Sequence, residues 1–117
     1  MRRYENIVII SPDCTQEEEE EILKRVTASL ERSGATIVRV DDWGVRRLAY
    51  PIKKKDRGHY YYYLVDMEEV GVTATGKFYR TVDQILRHMF VVVEDTEEGP
   101  KKPPDQVAFD ELEGEFA

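Results

Sequence analysis

A proline inside an extended run constrains this 117-residue chain more than any other feature. Thr36, Val38 and Val40 alternate with Ile37, Arg39 and Asp41, as along a strand. After Asp42-Trp43-Gly44 the pattern resumes at Val45 and continues to about Lys54. Pro51 lies within it. Proline has no N–H to give a ladder, so the segment is expected at a sheet edge. Asp42-Trp43-Gly44 is expected to be a bulge or bend. Asp56-Arg57-Gly58 reads as a hairpin turn into a strand over 59–67, which carries four tyrosines, Tyr60 to Tyr63.

The remaining segments supply partners for that edge. Residues 3–10 read as a strand, with Ile7 to Ile10 stopped by Ser11-Pro12-Asp13. Thr15 with Glu18 fits a capping box, and Glu17 to Glu21 suit the positive end of a helix dipole. Ile22, Leu23, Val26 and Leu30 form its apolar stripe, and Gly34 is its stop. A short second helix follows within 69–81, with Val70, Ala74 and Phe78 expected inward. Residues 84–94 form a last strand. The order is β-α-β-β-α-β. Two right-handed crossovers give an α+β, ferredoxin-like fold: a four-stranded antiparallel sheet of order 4-1-3-2 with both helices on one face. This order puts the Pro51 strand on an edge.

Composition divides the chain at Glu94. The net charge of −7 argues against a polyanion binder only until it is located. Residues 1–94 hold 15 Lys+Arg against 16 Asp+Glu, a net of −1; residues 95–117 hold 2 against 8, a net of −6. The expected organisation is a folded domain over 1–94 and an acidic, proline-containing tail over 95–117. In the tail, Phe109, Leu112 and Phe116 have the spacing of a short docking helix. No apolar run approaches the roughly 20 residues of a membrane span, and the first residues do not resemble a signal peptide. One cysteine, Cys14, allows no internal disulfide. His59 and His88 are too isolated for a metal site. No cofactor, catalytic group, membrane or small-molecule substrate is expected.

The chemistry gathers in Trp43 to Arg57, which has six basic residues and one acid. Such a patch beside aromatics suits phosphates and unpaired bases. Arg2, Arg3, Arg80, Arg87 and His88 extend the positive charge. Since the first and last strands are neighbours, Arg2, Tyr4 and Arg87 are expected to share one end or face of the sheet.

Arg46-Arg47-Leu48-Ala49-Tyr50-Pro51-Ile52, between Gly44 and Gly58, resembles the signature of the bacterial small-subunit ribosomal protein S-six family. So do the opening Met1-Arg2-Arg3-Tyr4-Glu5 and the closing Arg87-His88-Met89-Phe90-Val91-Val92-Val93. The resemblance spans about residues 1–94. It implies the same ferredoxin-like fold and a structural role in the small ribosomal subunit, in the cytoplasm. There the chain would bind the central domain, or platform, of small-subunit ribosomal RNA as a heterodimer with the basic ribosomal protein S-eighteen. It further implies RNA contacts at Arg2, Arg3, Tyr4, Arg80, Arg87 and His88. Contacts with the partner, or at the rim, would fall to Arg46, Arg47, Leu48, Tyr50, Lys53, Lys54, Tyr61 and Tyr63. The tail beyond Glu94 has no firm match in the family, and from its charge alone it is expected to sleeve the basic partner.

Two other readings share the fold. A single-stranded RNA-binding module of RNA-recognition type is mimicked by Arg57-Gly58 before aromatics, but Ile7 to Ile10 lack the companion aromatic ring. An acylphosphatase-like enzyme needs an anion-cradling glycine loop after the first strand, and Ser11-Pro12-Asp13-Cys14 offers none.

Overall fold

The computed structural model describes residues 1–94; the acidic tail and its Phe109, Leu112 and Phe116 lie outside them. Six elements follow in the expected order: β1 (Arg2–Ile10), α1 (Gln16–Arg32), β2 (Thr36–Ile52), β3 (Lys55–Met67), α2 (Glu69–Arg80) and β4 (Ile85–Val93). The sheet is antiparallel with order β2-β3-β1-β4, so β2 and its proline lie at an edge.

Local chemistry sets both ends of α1. The Thr15 side chain accepts from the Glu18 N–H, and the Glu18 carboxylate accepts from the Thr15 N–H. The Thr15 N–H, and after it the Thr15 hydroxyl, hold the Glu18 carboxyl below its usual range. At the other end Gly34 takes φ +85°, which lets the Ala35 N–H reach Leu30 O at 3.0 Å. This is a glycine-closed helix terminus.

β2 stays extended by leaving the regular ladder three times. Ile37 pairs with Val65 and Arg39 with Leu64, so Val38 is an extra residue. Trp43 is extra in the same way, between Asp42–Tyr61 and Gly44–Tyr60. The expected bulge at 42–44 is present, with Gly44 at φ +79°. The bulge at Val38 places Ile37 and Arg39 on opposite faces, which corrects the simple alternation. The third break runs from Arg47, opposite Arg57, to Ile52, opposite Lys55. Pro51 falls in that irregular stretch, where its missing N–H costs no ladder bond.

The hairpin turn comes earlier than its expected place, and β3 begins four residues earlier, at Lys55. Lys53 and Lys54 form the turn, at φ +50° and +66°. Positive φ at both central residues matches the twist of a two-residue hairpin, here without the usual glycine or asparagine. Gly58 is instead a buried residue within β3, where a Cβ would overlap Ile9 Cγ2.

Two apolar clusters sandwich the sheet. On the helix side Val8, Ile10, Tyr63, Val65 and Met67 pack with Ile22, Val26, Leu30 and Tyr79. On the other side Ile7, Ile9, Tyr62, Leu64, Leu86 and Met89 pack with Trp43, Leu48 and Ile52 of β2. The long hairpin does for this face what the helices do for the other.

The inward face of α2 differs from expectation. Gly71, Thr75, Gly76 and Tyr79 are buried, whereas Val70 is 77% exposed, Ala74 is exposed and Phe78 is half-buried. Small residues let α2 approach the end of α1, and Ser33 and Thr75 hydroxyls lie 3.0 Å apart. A Cβ on Gly71 would stand 2.8 Å from Ser33 O, which is backbone, whereas a Cβ on Gly76 meets only His88 Nε2 at 3.5 Å. Gly71→Ala therefore loses about 1–2 kcal/mol through overpacking. Gly76→Ala gains up to about 1 kcal/mol of helix propensity. Urea titration of the two variants is expected to move the midpoint in opposite directions.

Candidate RNA and partner interface

The antiparallel register divides the expected RNA-facing residues into two groups. Arg3 pairs with Val93, but Arg87 pairs with Ile9, six residues further along β1. Six residues of strand span roughly 20 Å. Their faces differ as well. Tyr4 belongs to the helix-side cluster, while Arg87 stands opposite Ile9 of the other face. Arg2, Tyr4 and Arg87 therefore share neither an end nor a face, because neighbouring strands here run in opposite directions.

The group at the start of β4 is the more convergent. Arg80 closes α2, and Arg87 and His88 begin β4. Burial, then Arg80, then Arg87 push the His88 imidazole down to about 4, so it is uncharged at neutral pH. The hairpin turn reaches this end too, since Lys53 Nζ donates to Asp83 O at 3.2 Å. Arg80 and Arg87 thus both bear on one neutral ring, and Lys53 lies at the same end of the sheet.

The other group is largely occupied within the chain. Arg3 makes a two-pronged contact with Asp66, Nε to Oδ1 at 2.8 Å and Nη2 to Oδ2 at 3.1 Å. The N-terminal amine lies 3.2 Å from Glu68. Tyr4 is buried edge-on to Phe90 at 6.2 Å, and burial pushes its phenol up. Arg2 is the exposed cation of the group. The Arg3 bond holds the Asp66 carboxyl below its usual range. A depressed folded-state pKa stabilises above the unfolded value and is lost as pH falls through the folded one. Arg3→Met is expected to cost about 1 kcal/mol at pH 7. The cost, read by denaturant titration, is lost as pH falls below the ordinary carboxylate range and Asp66 protonates.

The hairpin presents most of the residues expected to meet a partner. Arg47 is exposed and directly opposite Arg57, also exposed. Arg46 Nε donates to Trp43 O at 3.3 Å. Tyr50 is 38% exposed, and Lys53 and Lys54 form the exposed tip. Leu48 instead turns inward to the cluster of Ile9 and Leu86. Like charges opposed across a ladder destabilise it. Arg57→Glu should therefore stabilise the free chain by roughly 0.5 kcal/mol in thermal unfolding while weakening its hold on any polyanion.

Tyr61 and Tyr63 face α1 as core residues, 6% and 1% exposed. Tyr61 OH donates to Glu19, and burial is the chief cause raising both phenols. What surface they keep lines a groove of about 620 Å³ between α1 and β2. Leu23, Ala28 and the half-exposed Val40 give that groove apolar walls, and Glu20, Glu31 and Asp42 outnumber Lys24 at its rim.

Sequence reasoning missed two constellations. His59 lies with Nδ1 2.8 Å from Glu19 and Nε2 2.6 Å from Asp42, stacked on Tyr61, tying α1, β2 and β3 together. Trp43 stacks on Tyr62 at 4.9 Å, and the Arg39 guanidinium lies 5.2 Å from the same ring. The unusual placement of Trp43 at a bulge was the available signal for the second. Among the described residues no group of three or more His, Cys, Asp or Glu is placed to hold a metal ion. Cys14 is a poor nucleophile, because burial and then Glu18, Glu19 and Asp13 push its thiol up.

Comparison with known proteins agrees with this architecture. The family described as Ribosomal protein S6 matches residues 3–92. A small ribosomal subunit protein bS6 of Solidesulfovibrio magneticus is 33% identical over 95 residues, 81% of this chain and 93% of its own. The bS6 of Geobacter metallireducens is 36% identical over 94 residues, 80% of each chain. The crystal structure of 30S ribosomal protein S6 from Thermotoga maritima superposes with a TM-score of 0.71. It is 31% identical and the match covers 79% of this chain and 87% of that one.

Proposed function

The chain belongs to the ribosomal protein S6 family, a structural family of the small ribosomal subunit, and on that premise we propose what it binds there. It binds the central domain, or platform, of small-subunit ribosomal RNA as a heterodimer with the basic ribosomal protein S-eighteen, within the bacterial cytoplasm. The observation that carries this reading is the gathering of Arg80, Arg87 and Lys53 at the start of β4. Side chains of this kind hold phosphates and release counterions. Arg2 supplies a second, separate anchor at the far end of β1.

A basic partner suits the other side of the molecule. The groove between α1 and β2 joins an apolar floor to an acidic rim, and the acidic residues 95–117 add charge of the same sign. Partner contact by Arg46, Arg47 and Tyr50 is supported by the exposure of Arg47 and Tyr50 on the same edge strand, with Arg46 half-buried beside them. An RNA-recognition-type module finds less support. Such modules stack bases on rings of the open sheet face. Here Tyr62 is fully buried between Trp43 and Arg39, and Tyr60 is 3% exposed.

The test is assembly of the full chain with S-eighteen and a platform RNA fragment. The wild type is expected to bind with log affinity falling steeply as log salt rises. Arg87→Ala or Arg80→Ala should weaken RNA assembly about tenfold and flatten the salt slope by roughly one unit. Truncation after Glu94 should weaken the protein–protein step instead. Salt-independent assembly, unchanged by either arginine substitution, would refute the RNA face.

A further inference from the structure

On the helix side of the sheet, between α2 and β4, lies a cavity of about 170 Å³ lined by Val72, Thr73, Gly76, Arg80, His88 and Phe90. His88 is its most informative wall. The ring is held edge-on to Tyr79, 5.1 Å between centroids, and to Phe90, 6.3 Å. These contacts fix its plane but use neither nitrogen. Among the described residues neither ring nitrogen has a hydrogen-bond partner. Gly76 keeps the ring uncovered, since even a methyl group there would come to 3.5 Å from Nε2.

The charge arrangement says what such a cavity suits. The imidazole meets Tyr79 of α2 and Phe90 of β4, with Arg80 at the end of α2, while Arg87 acts on it from the opposite face of the sheet. Burial with two cations nearby leaves it neutral, so it offers one donor and one acceptor. An anion alone would be better served by a charged ring. A base edge needs a donor beside an acceptor, and the phosphate attached to it needs a cation. The exposed Arg80 at the end of α2 supplies the cation, and the Thr73 hydroxyl supplies a second donor and acceptor. Paired bases of an RNA helix are out of reach of such a recess, whereas splayed-out bases are bound in this way.

We propose that the cavity takes the base of one unpaired nucleotide, bonded along its edge by His88 and Thr73, with Arg80 on its phosphate. The inference deepens the RNA-binding reading and rests on it. It turns one of two cationic anchors into a site that distinguishes single-stranded from double-stranded RNA.

The experiment is an NMR titration of the full chain with AMP, GMP, CMP and UMP, and with ribose 5-phosphate as the base-free probe. At least one nucleotide is expected to shift the Gly76 amide and His88 ring signals several-fold more than ribose 5-phosphate does. The His88 ring should stay neutral at pH 6 in that complex. Equal shifts from ribose 5-phosphate, with His88 taking up a proton, would show an anion site and overturn the proposal. No response to any of the four nucleotides would overturn it too. In the assembly with S-eighteen and platform RNA, His88→Phe keeps the aromatic packing but removes both nitrogens, and should weaken RNA binding about tenfold. Gly76→Leu fills the cavity and should do the same without touching a charge; a melting temperature for each variant excludes unfolding. The nucleotide titration uses neither partner nor ribosomal RNA, so the two readings fail separately. Wild-type assembly that His88→Phe leaves unchanged defeats the cavity alone.

Discussion

The arrangement depends on how one buried amide is satisfied. Asn6 lies in the central strand β1 with no exposed surface. A buried amide without partners costs several times what a typical hydrogen bond contributes. Its Nδ2 donates to Met89 O at 2.9 Å, and its Oδ1 accepts from Tyr79 OH at 2.8 Å. The first bond fastens β4 beside β1. The second fixes the rotation of α2 about its own axis, because Tyr79 must point at the sheet. Thr75 and Gly71 lie four and eight residues earlier and turn inward with it. Val70 and Ala74 are carried outward, and Gly76 is brought against His88.

This explains which parts of the fold were legible in the sequence. The Thr15–Glu18 cap, the Gly34 stop and the edge position of Pro51 are set by neighbours in the chain or by missing atoms. Each could be read from a few consecutive residues. The face of α2 is set by Asn6, 73 residues away, and apolar spacing pointed to Val70, Ala74 and Phe78 instead. The hairpin turn was misread for a related reason. Glycine is the usual residue at positive φ, yet Lys53 and Lys54 take that conformation here, each at a cost of roughly 1 kcal/mol. Gly58 answers a different demand, the close approach of Ile9.

The candidate site was legible in kind more than in place. Charge and aromatic content marked the hairpin and β4, and the family resemblance named the residues. Only the register shows that Arg3 and Arg87 stand six strand positions apart, and only the packing shows Arg3 committed to Asp66. His88 gains its interest from burial, which single-residue reasoning does not reveal. The consequence is a molecule with cations at two separated ends and an acidic groove on its α1–β2 side.

The extra residues of β2 carry a consequence for how this strand can change its length. Val38 has no cross-strand mate of its own, so its removal would restore a regular ladder and leave every neighbour on its present face. Removing Val40, two positions on, would instead exchange the faces of all residues between it and the next irregularity. Arg39 would leave the Tyr62 ring and turn toward α1. Insertions and deletions in this strand are therefore not equivalent from one position to the next. The bulge acts as a joint at which a lineage can gain or lose a residue without rewriting the surfaces on either side.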